Sequence, residues 1–365
     1  KNLDGNNVAI GPDSNSRIDI GGSYGNGSIK KNLLRTLLGN NGYPIASNSG
    51  TNLESLFNGK EVNHLFLKSV YDSTGYYEYS SFKNYAYLGS DNSNFTVYDV
   101  IGTPKNEDRY FYKRGNFMPY NEIANGKFST NANLYDEDGK KLADTDPEKG
   151  RELYLTQGTN DYYFSMYMGA NFLQPKNGKA TLPDGSTKQD MIYEFNGDDD
   201  MWIYIDGVLV LDIGGVHDAH SGKINFNTGV VSWKDCQTGN DPVESSTTLK
   251  AIFQTAGVFP DGTGWDDSKV GNYFTGNTFK DYTTHTFKMF YMERGAGASN
   301  LHVKFNIQVI PSGQVEVRKE LSNTDKEKYS NVKFAFQLYA QKALSTGAQK
   351  NETYSDTEYE LLNSS

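Results

Sequence analysis

Three consecutive carboxylates, Asp198, Asp199 and Asp200, are the residues of this chain whose types and spacing most clearly suggest chemistry. They sit within Ile192-Tyr-Glu-Phe-Asn-Gly-Asp-Asp-Asp-Met-Trp-Ile-Tyr-Ile-Asp-Gly-Val-Leu-Val-Leu-Asp-Ile-Gly-Gly-Val-His217. Adjacent like charges repel unless something neutralises them, and a hard cation with oxygen ligands does so. A solvated acidic turn, with Asp198 capping backbone amides, accounts for the same residues without a metal. Lone Cys236 has no internal partner, so a metal site here draws on oxygen ligands or on the five histidines.

Other constellations are weaker. His217 with Asp212 has the composition of half a catalytic pair, but reads better as a histidine tied to backbone or carboxylate. His217 and His220 lack the i, i+4 spacing of a helical zinc site. In Asp136-Glu-Asp-Gly139 the glycine comes too early for a twelve-residue calcium loop. Glu293 and Arg294, near Asn300, read as a structural ion pair and loop anchor. Gln157 precedes Cys236 and its surroundings do not suit a thioester. No Walker or helical zinc pattern occurs, and the carboxylates are adjacent in sequence rather than paired across a cleft. No catalytic residue is therefore assigned, and no enzyme is expected.

The pattern Phe195-x-Gly-Asp-Asp-Asp-x-Trp-x-x-Ile-Asp-Gly-x-Leu-Val-x-Asp-Ile-Gly-Gly-Val-His217 resembles the signature of the fibro-slime branch of PA14-like domains, β-sandwich modules of microbial surface proteins. The resemblance extends to Tyr162-Tyr-Phe-Ser-Met166 and Met292-Glu-Arg-Gly-Ala-Gly-Ala-Ser-Asn-Leu301. It covers about residues 150–310 well and 1–150 weakly. In PA14-like lectins two consecutive aspartates joined by a cis peptide chelate calcium, and sugar hydroxyls complete the shell. The resemblance places that pair on Asp198 and Asp199, with Asp200 where many such domains carry glycine. A second loop in those lectins has an Asn or Asp four residues before a Trp, which matches Asp261-Gly-Thr-Gly-Trp265. It implies Asp261 as a third metal residue, with Thr263, Trp265, Asp266 and Asp200 as further candidates; Asp267 is an alternative to Asp266. An ordinary Pro-Asp-Gly turn is the competing reading. Trp265, Trp202 and Asn300 are the implied ligand contacts.

The elements that must position these residues are mainly strands. Asp206-Gly207 is a two-residue hairpin signal between Met201–Ile205 and Val208–Leu211. Further strands are predicted at Leu65–Tyr71, Tyr76–Tyr79, Tyr85–Leu88, Phe95–Tyr98, Leu153–Leu155, Tyr162–Tyr167, Met191–Phe195, Leu249–Phe253, Thr284–Glu293 and Leu301–Ile310. The helix signal is strongest within residues 27–58, where Leu33, Leu34, Leu37 and Leu38 form one stripe before Gly39. Asn52–Phe57 suggests another helical turn, and residues 135–150 a polar loop. The expected fold is a mainly β, PA14-like antiparallel sandwich with long insertions and a short N-terminal helix, spanning 1–310. After Pro311-Ser-Gly, the runs Gln314–Leu321 and Val332–Tyr339 resemble the opening strands of a CnaB-like, immunoglobulin-like stalk module of Gram-positive surface proteins. The resemblance makes 311–365 a truncated stalk domain and Lys319 (less so Lys333) the isopeptide lysine, although the usual partner Asn on the last strand is missing.

Composition narrows the function. The chain has 365 residues, 35 basic against 45 acidic side chains, 26 Tyr and 20 Phe. Abundant aromatics supply enough apolar area for an ordered core. The acidic balance argues against a duplex nucleic-acid partner. No run of about 18 apolar residues exists to span a bilayer. Together with the resemblance, the expectation is a calcium-dependent, glycan-binding tip domain of a cell-surface adhesin or pilus. It would be extracellular, anchored to the cell wall through regions outside this chain, and joined to further domains of the same surface protein. A calcium-stapled spacer, or a module binding a host surface protein, is the alternative.

Overall fold

A computed structural model of the chain describes residues 1, 3, 18, 20–81, 84–88, 93–98, 116–121, 123–129, 153–156, 161–185, 188–236, 240–295, 298–310, 339–341 and 359–361. The chain divides into two compact units, Lys1–Ser312 and Gly313–Ser365. In the second, the described residues are two short antiparallel strands, Tyr339–Gln341 and Tyr359–Leu361. Lys319, Lys333, Gln314–Leu321 and the 135–150 loop lie outside the described residues, as does Val332–Tyr339 apart from Tyr339 itself.

The first unit is built on eleven strands: β1 Tyr77–Ser80, β2 Phe164–Leu173, β3 Ile192–Gly197, β4 Asp200–Ile205, β5 Val208–Ile213, β6 His220–Asn225, β7 Val230–Asp235, β8 Val243–Thr248, β9 Thr284–Glu293, β10 Leu301–Phe305 and β11 Val309–Ile310. They form two antiparallel sheets, ordered β1-β10-β3-β6-β7-β8 and β5-β4-β9-β2-β11. The main core lies between them: Tyr193, Phe195, Ile224, Val231, Val303 and Phe305 face Met201, Ile203, Ile205, Val210, Phe287, Met289 and Tyr291. The fold is a mainly β sandwich. No helix among the described residues is long and apolar enough to cross a membrane.

The second sheet is apolar on both faces, so it needs a second cover. Trp202, Tyr204, Phe290 and Met292 point away from the main core and are covered by Leu3, Ile20, Leu34, Ala46, Leu53, Leu56 and Phe57. That task decides the conformation of the leucine-rich stretch, which is not a helix. Its backbone is drawn into pairings with other segments: Arg35 N–H donates to Ile45 O, Leu209 N–H to Thr36 O, and Leu38 N–H to Gly207 O. The segment thereby caps the otherwise open edge of β5. The N-terminal helix is instead the short turn α1, Glu54–Phe57.

Two predicted strands are also helical. Residues Lys68–Thr74 form α2, ended by Gly75 at φ 74°. Residues Leu249–Ala256 form α3, where Thr248 Oγ1 accepts from Ala251 N–H (3.3 Å) and Gly257 stops the helix at φ 74°. Both helices end on a left-handed glycine, a signal present in the sequence. Strands β6, β7 and β8 were not foreseen, because Lys, Ser and Thr alternate along them with few apolar residues.

Candidate functional site

The acidic triplet is where the chain crosses from one sheet to the other. Strand β3 ends at Gly197 and β4 begins at Asp200, so Asp198 and Asp199 bridge the sheets. The crossing is tight. A Cβ on Gly197 would lie 2.1 Å from Asn300 O, so only glycine fits there. The Asp198–Asp199 peptide is cis. The three carboxylates are not a solvated turn: Asp198, Asp199 and Asp200 are 5 %, 3 % and 0 % exposed.

Burial demands partners, and they come from three other segments. Asn300 N–H donates to Asp198 Oδ1, and Asp198 N–H returns a bond to Asn300 O (3.1 Å). Tyr291 O–H donates to Asp198 O at 2.7 Å. Asp199 receives His217 N–H on Oδ1 (3.1 Å) and Arg294 N–H on Oδ2 (3.2 Å). Asp200 is committed elsewhere: Arg294 Nε donates to its Oδ2 at 2.6 Å, Arg294 Nη2 to its Oδ1 at 3.1 Å, and Gly215 N–H to Oδ1 at 2.5 Å. Arg294 Nη1 also donates to Gly21 O (2.6 Å), tying the N-terminal cover to the crossing. Arg294 therefore pairs with Asp200 rather than with Glu293.

Glu293, read from the sequence as an ion-pair partner of Arg294, is instead a further buried carboxyl at this crossing. It is fully buried, and Gly295 N–H donates to its Oε1 at 3.0 Å. Its Oε2 meets no N–H or O–H donor, and Asn300 Nδ2 meets no acceptor. Burial pushes its carboxyl well above the usual range, and Asp199 and then Asp198 push it further the same way. Burial likewise raises Asp199, against the lowering effect of His217. A third buried carboxyl beside an Asp-Asp pair was detectable from sequence only as the third residue of Tyr291-Met-Glu-Arg294 at the strand end, which carries no metal spacing.

His217 and His220 are structural. His217 Nδ1 lies 2.7 Å from Asp218 O. His220 Nε2–H donates to Gly27 O (2.8 Å) while its Nδ1 accepts from Cys236 N–H (2.8 Å), the tautomer of a neutral ring. Burial, then the adjacent His217, holds His220 down to a pKa of about 4.

The second predicted loop is not brought to this crossing. Asp261 is exposed and accepts from Thr263 N–H (2.9 Å), Thr263 Oγ1 (2.6 Å) and Tyr273 O–H (2.6 Å). Asp266 caps Ser268 (3.0 Å) and pairs with Lys269 (3.3 Å). Trp265 donates from Nε1 to Asp267 at 2.8 Å and stacks on Phe259, with ring centroids 4.7 Å apart. That ring system runs through Phe274 and Phe279 to His285, whose Nδ1 lies 2.6 Å from Asp206 Oδ2 at the β4–β5 turn. Asp206 and Asp200 stand at opposite ends of β4, about 20 Å apart at 3.3 Å per residue. Asp261, Thr263, Trp265 and Asp266 thus belong to the far end of the sandwich. Trp202 is fully buried, with Nε1 donating to Asp212 Oδ1 at 3.1 Å, and is no ligand platform.

Asp198, Asp199, Glu293 and Asn300 supply only oxygen atoms and one amide, the donor set of a hard cation. The donor-less Oε2 fits that use. Among the described residues no group of three or more His, Cys, Asp or Glu is arranged to hold a metal ion. Backbone and amide oxygens would have to complete the set.

No family model matches the chain. It is similar to several proteins of Dictyostelium discoideum, psiF, psiB and psiQ among them. Protein psiF is 24% identical over 278 residues, 75% of this chain and 28% of that protein. Protein psiB is 31% identical over 110 residues, 30% of this chain and 17% of that protein. Protein psiQ is 30% identical over 149 residues, 38% of this chain and 14% of that protein. The chain thus spans under a third of the length of these relatives.

Proposed function

We propose that this chain is a PA14-like module of an extracellular surface protein that holds calcium at the Asp198–Asp199 crossing and binds glycans through it. The observation that carries the proposal is the buried Asp198–Asp199–Glu293 set, whose Glu293 Oε2 lacks any donor. Three buried carboxyls with one guanidinium, itself spent on Asp200, leave excess negative charge that a divalent cation offsets. Asp198 and Asp199 would hold the ion, joined by Glu293 and by the Asn300 side chain after rotation of its amide. When bound, the ion supplies open coordination positions that vicinal hydroxyls can take.

The residues of this chain orient those positions. Arg294 holds Asp200 away from the ion, His217 N–H and Arg294 N–H aim the Asp199 carboxylate, and Tyr291 O–H fixes the Asp198 carbonyl. An Asp199→Asn or Glu293→Gln change would remove ligand charge while preserving shape.

A calcium titration followed by melting temperature tests the proposal, comparing wild type with Asp198→Asn/Asp199→Asn. The expected outcome is a calcium-dependent rise in wild type that EDTA reverses and the double variant lacks. Calcium at 100 times its Kd adds about 2.7 kcal/mol. Equal melting temperatures with calcium and with EDTA would end the reading. A second reading, a calcium-stapled spacer with no ligand of its own, is favoured by the depth of the site, since neither aspartate exceeds 5 % exposure. A calcium-dependent melting rise with an empty glycan array selects it.

A further inference from the structure

A second constellation lies at the far end of β4, and the proposed binding function makes no use of it. His285, at the start of β9, holds Asp206 Oδ2 at 2.6 Å through Nδ1 and Thr283 Oγ1 at 2.6 Å through Nε2. The order is hydroxyl, imidazole, carboxylate, each at hydrogen-bonding distance, which is the relation a nucleophile, its base and the base's orienting group require. Sequence spacing hides it, because Asp206 is on a hairpin turn far upstream of the Thr283–His285 pair.

Each member is held in place. Asp206 occupies the left-handed first position of the turn (φ 49°), followed by Gly207 at φ 79°. Its Oδ1 accepts Thr286 N–H at 2.8 Å, leaving Oδ2 for the imidazole. The His285 ring is 2 % exposed, stacked on Phe279 at 3.9 Å with Phe172 at 5.3 Å. Those rings keep water from the Asp–His pair and prevent the imidazole from turning. With Nδ1 donating to Asp206 Oδ2, the second ring nitrogen, Nε2, faces Thr283 Oγ1 as an acceptor. Thr283 is half-buried beside a residue at positive φ, Tyr282 (65°), so its hydroxyl stands at a chain reversal on the surface. Oγ1 also lies 2.6 Å from Lys280 O, a resting acceptor for its proton.

We propose that Thr283 is an acyl-accepting nucleophile for small esters, with His285 as general base and Asp206 as the positioning residue. Nε2 takes the Thr283 hydroxyl proton as Oγ1 bonds to the ester carbonyl carbon. The carbon–oxygen bond to the leaving alcohol then breaks, and that alcohol departs with the proton held on Nε2. Water, deprotonated in turn at Nε2, cleaves the acyl–Thr283 ester to give the carboxylic acid and the free hydroxyl. Asp206 offsets the charge of the transient imidazolium. The part-exposed hydroxyl at a turn, rather than in a deep cleft, suits an ester whose carbonyl is presented at a surface.

The test uses the whole chain with p-nitrophenyl acetate, reading p-nitrophenolate release and the acetylated peptide by mass spectrometry. The expected result is one acetyl group on the Thr283 peptide and release about 100-fold faster than in Thr283→Val, the scale of general-base assistance. Thr283→Ser should keep the activity. Asp206→Asn should lower the rate and displace its pH profile, which loss of a purely structural bond would not do. Thr283→Val is isosteric and part-exposed, so an unchanged circular dichroism spectrum accompanies it even where His285→Gln fails to fold. Wild type no faster than Thr283→Val, or acetyl groups found on lysines alone, overturns the proposal.

Discussion

Removing Arg294 isolates the most demanding interaction of the acidic crossing. Its guanidinium and the Asp200 carboxylate are both fully buried and joined by bonds of 2.6 and 3.1 Å, with a third bond to Gly21 O. In Arg294→Met the aliphatic reach is largely kept, but Asp200 loses both guanidinium bonds and keeps Gly215 N–H as a donor. An uncompensated buried charge of this kind costs about 3–5 kcal/mol. Asp200→Asn should cost a similar amount, because it strands the guanidinium instead. The double variant removes both charges and should cost clearly less than the sum, with a coupling of about 1–3 kcal/mol. Urea unfolding measures all four corners, provided the slope with denaturant stays constant. The cycle also separates two roles for Asp200. If it belongs to Arg294 rather than to an ion, the Asp200→Asn/Arg294→Met chain should still show the calcium-dependent rise in melting temperature. Single variants costing under about 1 kcal/mol, or additive costs, would refute the ion-pair account. Loss of the calcium response in a folded double variant would return Asp200 to the ligand set.

Further outcomes follow from the same geometry. Gly197→Ala forces a Cβ onto Asn300 O, a backbone atom 2.1 Å away; the loss should exceed about 2 kcal/mol, and a wild-type-like melting curve would count against the tight crossing. Asp261→Ala, at the far end of the sandwich, should leave any calcium-induced melting shift unchanged, as differential scanning calorimetry would show. For His220 the folded pKa of about 4 lies below the ordinary value of 6.5. The native state therefore resists the proton, and its contribution is intact above pH 6.5 and lost as pH falls toward 4. At about 1.4 kcal/mol per unit this amounts to up to about 3 kcal/mol. His220→Gln should flatten the stability–pH curve in that window, and an unchanged slope would rule His220 out as its cause.

Strands with concentrated apolar character were legible from residues alone. Met201–Ile205 and Thr284–Glu293 lie within a residue of the observed strand bounds, because the inner strands β4 and β9 are covered on both faces and are rich in apolar residues. Strands β6 to β8 escaped notice, since a sheet with one solvated face needs few apolar residues at its edge. The leucines at 33–38 satisfied a helical period, yet local periodicity cannot register that β5 needs an edge partner and that Trp202 and Phe290 need a cover. For α3 the Thr248 cap and Gly257 stop decide for a helix, where the short apolar run Leu249–Phe253 by itself fits a strand equally well.

By itself the sequence determined the mainly β class, the hairpin at Asp206-Gly207 and the importance of Asp198–Asp200, because composition, turn chemistry and charge repulsion act over a few residues. Tertiary structure decided the rest. It buried the triplet between two sheets, assigned Asp200 to Arg294, and brought Glu293 and Asn300 to Asp198 and Asp199. It also carried Asp261 and Trp265 to the opposite end of β4 and joined Asp206 to His285 and Thr283. Such placements depend on strand order and register, which set distances between residues nearly a hundred positions apart and leave no local trace in the chain.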